Sequence, residues 1–95
     1  MRAGELLRLT EKLVDGPRAQ THGDKRENHE NIAALWSAYL GVSISPFQVA
    51  LMMVLLKVAR TQAGKPNLDD YVDMAGYAAI AGELSPVSEE QPHVP

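Results

Sequence analysis

Two basic and three acidic residues lie close together in the second half of the sequence. Lys57 and Arg60 are three residues apart, and Asp69, Asp70 and Asp73 follow within a short stretch. Carboxylates three or four residues apart can share a helix face and bind Mg²⁺ through their oxygens, while lysine and arginine bind phosphate oxygens. The pattern predicts a phosphate or nucleotide pocket, with Asp70 and Asp73 as its magnesium ligands.

Three more polar residues are candidates for ligand contacts. An amide such as Asn28 can bind the edge of a base or a ribose, and His29 can donate to a phosphate or relay a proton. Tyr77 follows Asp73 by four residues, on the same flank of a predicted helix. We expect Asn28, His29, Lys57, Arg60 and Tyr77 to bind the ligand, and the sequence assigns no catalytic residue.

The same residues have a purely structural interpretation. Asp69 and Asp70 suit the positive end of a helix and Lys57 and Arg60 the negative end, where each stabilises by roughly 0.3–1 kcal/mol. Asn28 is equally acceptable as a hydrogen-bonded structural amide. Both interpretations stay open from the sequence.

Four segments with a helical pattern must position these residues. Ser45, Pro46 and Gln48 predict a capped helix start, and Gly64 with Pro66 predicts the end of that helix. Asp24 and Asn67 are the expected N-caps of two others. The predicted helices are at about residues 3–15, 25–40, 46–62 and 68–83.

Apolar residues indicate which helix sides are buried. The third helix is apolar from Val49 to Leu56 without a break, so we expect neighbours or a second subunit on most of its faces. This run is too short to span a membrane, which takes about 20 residues. On the second helix we expect a stripe of apolar core residues, and we expect Asn28 and, at the edge of the stripe, His29 on the same buried side of the helix. The stripe is Ile32, Leu35, Trp36, Tyr39 and Leu40. On the fourth helix the expected core residues are Leu68, Val72, Ala75, Ala79 and Ile80, with Gly76 allowing close helix approach.

We therefore predict an all-α fold, a four-helix antiparallel bundle-like domain over residues 1–84. The surplus of apolar residues on the third helix predicts self-association, with an isologous homodimer as the simplest form. Residues 85–95 are rich in proline and polar residues, and we expect a disordered tail.

Composition excludes several functional classes. A net charge of −3 disfavours a nucleic-acid partner, because phosphate neutralisation requires a basic face. The absence of cysteine rules out disulfides and thiolate chemistry. The first residues lack the apolar core of a signal peptide, so we expect no export and a cytoplasmic location.

Three segments carry a family resemblance: HGDKRENHENIAALW, SPFQVALMMVLLKVAR and NLDDYVDMAGYAAIAGEL. Between about Thr21 and Leu84 the chain resembles a small helical domain of unassigned function encoded by tailed phages and prophages. The shared pattern comprises Gly23, Asp24, Asn28, Lys57, Arg60, Asp73, Gly76 and Tyr77, with His22 where a tyrosine is usual.

That family is similar in motif order to nucleotide-modification-associated phage domains and distantly to MazG-type all-α nucleoside triphosphate pyrophosphatases. The resemblance implies a helical oligomer in the host cytoplasm that binds a nucleotide or a nucleotide-derived ligand, with Mg²⁺-dependent hydrolysis as an extension. MazG-type enzymes hold metal with Glu-x-x-Glu and Glu-x-x-Asp, where this chain has Glu27-x-x-Glu30 and Asp70-x-x-Asp73. The alternative function is a small oligomeric adaptor or inhibitor that acts on another protein without a small-molecule ligand.

Overall fold

The computed structural model describes residues 1–16 and 24–87, and these residues form four α-helices and no strand. The helices are α1 (Ala3–Asp15), α2 (Lys25–Leu40), α3 (Pro46–Thr61) and α4 (Leu68–Leu84). The predicted all-helical class with four helices is confirmed. None of the helices in these two ranges is long and apolar enough to cross a membrane.

The predicted helix starts are confirmed in atomic detail. The Ser45 hydroxyl accepts the Gln48 backbone N–H, and the Gln48 side chain accepts the Ser45 backbone N–H, which completes a capping box on α3. The Asp24 and Asn67 side chains each accept a backbone N–H at the first turns of α2 and α4. After α3, Gly64 takes the left-handed conformation at φ +76°, which glycine adopts without a steric cost.

The helices pack in the spatial order α1, α4, α3, α2. The most extensive contact joins α3 to α4, while α1 packs on α4 and α2 packs on α3. Gly76 of α4 is buried beneath α1, as its small size predicts: a Cβ there would lie 3.3 Å from Val14 Cγ1 and 3.6 Å from Thr10 Cγ2. The close contact between α1 and α4 therefore depends on having a glycine, which has no side chain, at this position.

The turn between α2 and α3 is closed by one hydroxyl group. Ser37 Oγ accepts the Ile44 backbone N–H at 2.9 Å and donates to the Ile44 carbonyl at 3.2 Å. Gly41, at φ +70°, reverses the chain between these two residues. The turn thus fixes the end of α2 against the beginning of α3.

The predicted buried side of α2 is only partly right: His29 is buried as expected, but several other predicted residues are not. Asn28 is exposed, and the buried residues are His29 and Ala33. Of the predicted stripe, Ile32 and Trp36 are half-buried, whereas Leu35, Tyr39 and Leu40 are exposed. The fully buried positions of α2 are thus a histidine and an alanine, and three of its large apolar residues stay exposed in the single chain.

The predicted core face of α4 is partly wrong. Val72 is buried as expected, but Leu68 and Ala79 are exposed, and the other buried positions are Asp70, Gly76 and Ala81. Two neighbours, α1 and α3, pack on α4 through different residues, so no single apolar stripe defines its buried surface. Most of the predicted tail, residues 88–95, lies outside the described residues.

Candidate functional site

The charged residues predicted at the ends of α3 and α4 meet in two ion pairs. Lys57 Nζ lies 3.0 Å from Asp73 Oδ2, and Arg60 Nε lies 3.0 Å from Asp70 Oδ1. The two helices are antiparallel. Lys57 therefore pairs with the later aspartate of α4, and Arg60, one turn further along α3, pairs with the earlier one. These four residues are called the ion-pair cluster below.

The ion-pair cluster has a buried side and an open side. Asp70 is only 5% exposed, and the Lys57 side chain is largely buried. More than half of the Arg60 side chain is exposed, and part of Asp73 also reaches solvent. The exposed part of the Arg60 side chain is accessible to a ligand while Nε contacts Asp70.

Helix ends provide a favourable local field for the cluster. Asp70 lies in the first turn of α4, and Arg60 lies in the last turn of α3. Backbone N–H groups near a helix start favour a carboxylate, and carbonyl groups near a helix end favour a cation. The Asn67 cap fixes where α4 begins and therefore where Asp70 and Asp73 point.

His29 and Tyr77 form a second group of polar rings beside the cluster. Their ring centroids are 6.3 Å apart with an edge-to-face angle of 60°, and Tyr77 lies one turn after Asp73 on α4. His29 Nδ1 lies 2.7 Å from the Lys25 carbonyl oxygen, which can only accept, so Nδ1 carries a proton. His29 is 4% exposed, and its Nε2 has no hydrogen-bond partner in the described part of the chain.

Lys25 ties the start of α2 to two other helices. Its Nζ lies 2.8 Å from Asp15 Oδ1 at the end of α1 and 3.3 Å from Glu83 Oε1 near the end of α4. The hydrogen bond to Asp15 is the main cause that raises the pKa of Lys25, with Glu83 adding to it and partial burial acting against it. This network sets the position of α2 and, one turn later, of His29.

The predicted magnesium ligands Asp70 and Asp73 lie three residues apart on α4, within the ion-pair cluster. Within residues 1–16 and 24–87, no three histidine, aspartate or glutamate side chains converge as metal ligands. Asp70 and Asp73 each bind a cationic side chain instead. Mg²⁺ needs six oxygen ligands in near-octahedral geometry, so any ion here would take most of them from water or phosphate.

A protein-family comparison identifies the chain. The sequence model of a family described as "Domain of unknown function (DUF6378)" matches residues 5–85. The chain belongs to the DUF6378 family. The match covers most of α1 and all of the other three helices of this DUF6378 domain, and therefore both the ion-pair cluster and the His29–Tyr77 pair.

Curated relatives of this DUF6378 chain come from mycobacteriophages. The Gene 55 protein of Mycobacterium phage L5 is 45% identical over 92 residues, which is 95% of this chain and 59% of the relative. The Gene 55 protein of Mycobacterium phage D29 is 41% identical over 79 residues, 83% of this chain and 52% of the relative. The chain thus spans somewhat more than half the length of each, and the predicted resemblance to a small phage domain is confirmed. No solved structure matches.

The structure of the DUF6378 chain brings most of the predicted site residues together. Along one flank of α4, Asp70, Asp73 and Tyr77 follow each other within two turns. Arg60, Lys57 and His29 face these three residues in the same order. Asn28 is the exception, because it lies on the exposed side of α2.

Sequence reasoning missed two polar residues that organise this DUF6378 fold. Lys25 gave no signal, since its partners are ten and fifty-eight residues away. Thr10 is buried, and its hydroxyl donates to the Leu6 carbonyl at 2.9 Å. A signal for Thr10 existed, because it lies four residues from both Leu6 and Val14 on the apolar side of α1.

Proposed function

We propose that this DUF6378 chain binds the phosphate groups of a nucleotide or a nucleotide-derived ligand at the ion-pair cluster. The observation that carries the proposal is the placement of Lys57 and Arg60 one turn apart, both directed at the same flank of α4. Two cations at this spacing can bind neighbouring oxygens of one phosphate or of a diphosphate. The proposed site of action is the cytoplasm of the host cell.

The burial of Asp70 favours a functional role over simple stabilisation. Removing a carboxylate from water costs several kcal/mol, and a buried ion pair is often no more stabilising than apolar residues of the same volume. The pair does, however, hold Arg60 in place through Nε. A side chain that is already held in place loses less conformational freedom when it binds a phosphate.

The His29–Tyr77 pair is the proposed contact for the nucleoside part of the ligand. Tyr77 is half-buried and continues the flank of α4 that carries the cluster. His29 Nε2 is buried and has no hydrogen-bond partner in the described part of the chain, so it is the ring atom proposed to bond to the nucleoside once the ligand enters. Asn28 is exposed, so any contribution it makes is at the outer edge of the site.

The proposal concerns binding, and hydrolysis is a separate prediction of the MazG-type resemblance. Glu27 and Glu30 are exposed on α2, and Asp70 and Asp73 are engaged with cations. Ligand binding is therefore measured both with and without Mg²⁺. Mg²⁺-dependent pyrophosphate release that disappears in Asp73→Ala would extend the proposal to an enzyme.

A ligand screen by thermal unfolding tests the proposal. The purified chain is melted with nucleoside mono-, di- and triphosphates, deoxynucleotides and cyclic nucleotides, with and without Mg²⁺. A ligand at 100 times its Kd adds about 2.7 kcal/mol, and each kcal/mol raises the Tm of a domain this size by about 4–8 °C. We expect a selective shift that is lost in Lys57→Met and Arg60→Ala and retained in Arg8→Ala, an exposed arginine of α1.

Each variant is compared with its own ligand-free melting temperature, so a change in stability does not imitate a change in binding. A ligand shift that survives in both Lys57→Met and Arg60→Ala would place binding elsewhere and contradict the proposal. No shift with any nucleotide at millimolar concentration would also contradict it.

The second candidate function is the oligomeric adaptor or inhibitor that acts on another protein. It is favoured by the charge balance of the ion-pair cluster, in which each cation already has a carboxylate partner. On this hypothesis Lys57→Ala and Arg60→Ala change stability modestly and alter no ligand response. Capture of a defined host or phage protein by the purified chain, reproduced with both proteins pure, is the corresponding test.

A further inference from the structure

A long uncharged segment contains many of the exposed apolar side chains of the molecule. No charged residue occurs from residue 31 to residue 56, between Glu30 and Lys57. The segment comprises most of α2, the turn and most of α3. Surfaces of soluble proteins normally intersperse charges of both signs, so an uncharged stretch of this length indicates a surface that is covered.

Two apolar grooves run along this segment and share Met52. One has a volume of about 330 Å³ and lies between the α2–α3 turn and α3, with Val42, Leu51 and Leu55 in its wall. The other has a volume of about 230 Å³ and lies between α2 and α3, lined by Trp36, Tyr39, Leu40 and Met52. Because Met52 belongs to both, the grooves form one continuous surface, called the apolar face below.

The apolar face is large enough for a stable protein interface. Tyr39 is 89% exposed and Leu55 is 66% exposed. Helical spacing adds Leu35, one turn before Tyr39, and Leu56, one turn after Met52. The exposed large residues of the face together present on the order of 900 Å², against about 800 Å² that each partner contributes to a standard interface. The residues are Leu35, Tyr39, Leu40, Val42, Leu51, Met52, Leu55 and Leu56.

We propose that the apolar face is the interface between two copies of this chain, related by a two-fold axis. A face without charge meets its own copy without like-charge repulsion, whereas the rest of this chain carries the net charge of −3 and repels an identical surface. Pairing α2 and α3 of one copy with those of the other also extends the core. Within the described residues of one copy, the only large side chains that are fully buried are Val49 and Val72.

The mass of the purified chain in solution is the first test. Light scattering during gel filtration, or sedimentation equilibrium, should give twice the 10.4 kDa of one chain at micromolar concentration. Leu55→Glu and Tyr39→Glu should each give a monomer that keeps its helical circular dichroism, because both side chains are exposed in the single chain. The matched control is Leu7→Glu on α1, a leucine 61% exposed and outside the apolar face, which should leave the dimer intact.

A monomeric wild-type chain at these concentrations would overturn the proposal, and another segment or protein would then cover the face. A dimer that survives both Leu55→Glu and Tyr39→Glu would overturn it as well. Assemblies larger than a dimer would contradict the two-fold pairing.

Disulfide trapping gives an independent readout, since the chain has no cysteine. In a two-fold interface, residues near the axis face their own counterparts, so at least one of the single variants Tyr39→Cys, Met52→Cys and Leu55→Cys should form a covalent dimer on mild oxidation. Leu7→Cys is the control and should stay monomeric under the same conditions. Trapping at Leu7 alone would refute the assignment of the face.

Discussion

Arg60 and Asp70 form an ion pair whose partners have very different exposure, with Nε 3.0 Å from Oδ1, the carboxylate buried and the guanidinium more than half exposed. Loss of the partner is therefore more costly for the buried Asp70 carboxylate than for the exposed Arg60 guanidinium. Truncating the arginine leaves a buried carboxylate without its charged partner, whereas truncating the aspartate leaves an arginine that water can solvate.

Replacing Arg60 should accordingly destabilise the fold in a way that a second substitution relieves. We expect Arg60→Ala to lower the free energy of unfolding by about 2 kcal/mol, because an unpaired buried group costs about 1–3 kcal/mol or more. Arg60→Ala combined with Asp70→Asn should cost less than Arg60→Ala alone. Urea unfolding of the single and double variants measures this, and strictly additive effects would show that the two residues are not coupled.

Two glycines of α4 provide a matched pair for helix packing. Gly82→Ala should raise the free energy of unfolding by about 0.5–1 kcal/mol, since nothing lies within 4 Å of the added Cβ and alanine favours a helix. The change in the free energy of unfolding should be about 1 kcal/mol less favourable for Gly76→Ala than for Gly82→Ala, because the added Cβ would lie 3.3 Å from Val14 Cγ1. Equal effects of the two substitutions in urea unfolding would argue against close packing of α1 on Gly76.

Lys25 predicts a dependence of stability on alkaline pH. Asp15 raises the pKa of Lys25 in the folded chain, so the network stabilises below the ordinary lysine pKa and this contribution is lost as pH rises through the raised value. Lys25→Met should be less stable than the wild type by about 0.5–1 kcal/mol near pH 8. The difference should shrink above about pH 10.4, where a lysine in the unfolded chain loses its proton before Lys25 in the folded chain does. Unfolding in urea at pH 8 and pH 11 measures the change, and a constant difference would contradict it.

The capping box on α3 makes a local prediction. Ser45→Ala removes the acceptor for the Gln48 N–H and should lower the free energy of unfolding by about 1 kcal/mol. Ser43→Ala, an exposed serine two residues earlier, is the control and should change stability by less than about 0.5 kcal/mol. Similar losses in both variants would mean that the Ser45 hydroxyl contributes little as a cap.

Local signals in the sequence predicted the helix ends well. The cap residues Asp24, Ser45 and Asn67 act within three residues of themselves, so their chemistry depends little on the rest of the fold. The meeting of Lys57 and Arg60 with Asp70 and Asp73 was predictable for a related reason. A short connection between consecutive helices brings the end of one beside the start of the next.

The sequence predicted only part of the buried surface of the helices, with Val72 and His29 right and Leu35 and Tyr39 wrong. An apolar stripe predicts that one side of a helix is buried. It does not show whether the residues that bury it belong to the same chain or to another molecule. On α2 the large residues such as Tyr39 lie outside, while His29 and Ala33 face the interior. Lys25 was missed because its carboxylate partners come from α1 and α4, and only the assembled fold brings them together.

The packing of the first helix on the last has a consequence for synthesis on the ribosome. The glycine that Thr10 and Val14 cover, Gly76, is translated more than sixty residues after them. At about 5–20 residues per second, α1 waits roughly 3–13 s with its apolar side unprotected. The α3–α4 pair, consecutive in the chain, has no such delay. A nascent chain that stalls before residue 76 therefore exposes α1 to chaperones and proteases, and translation speed between these points sets the length of that exposure.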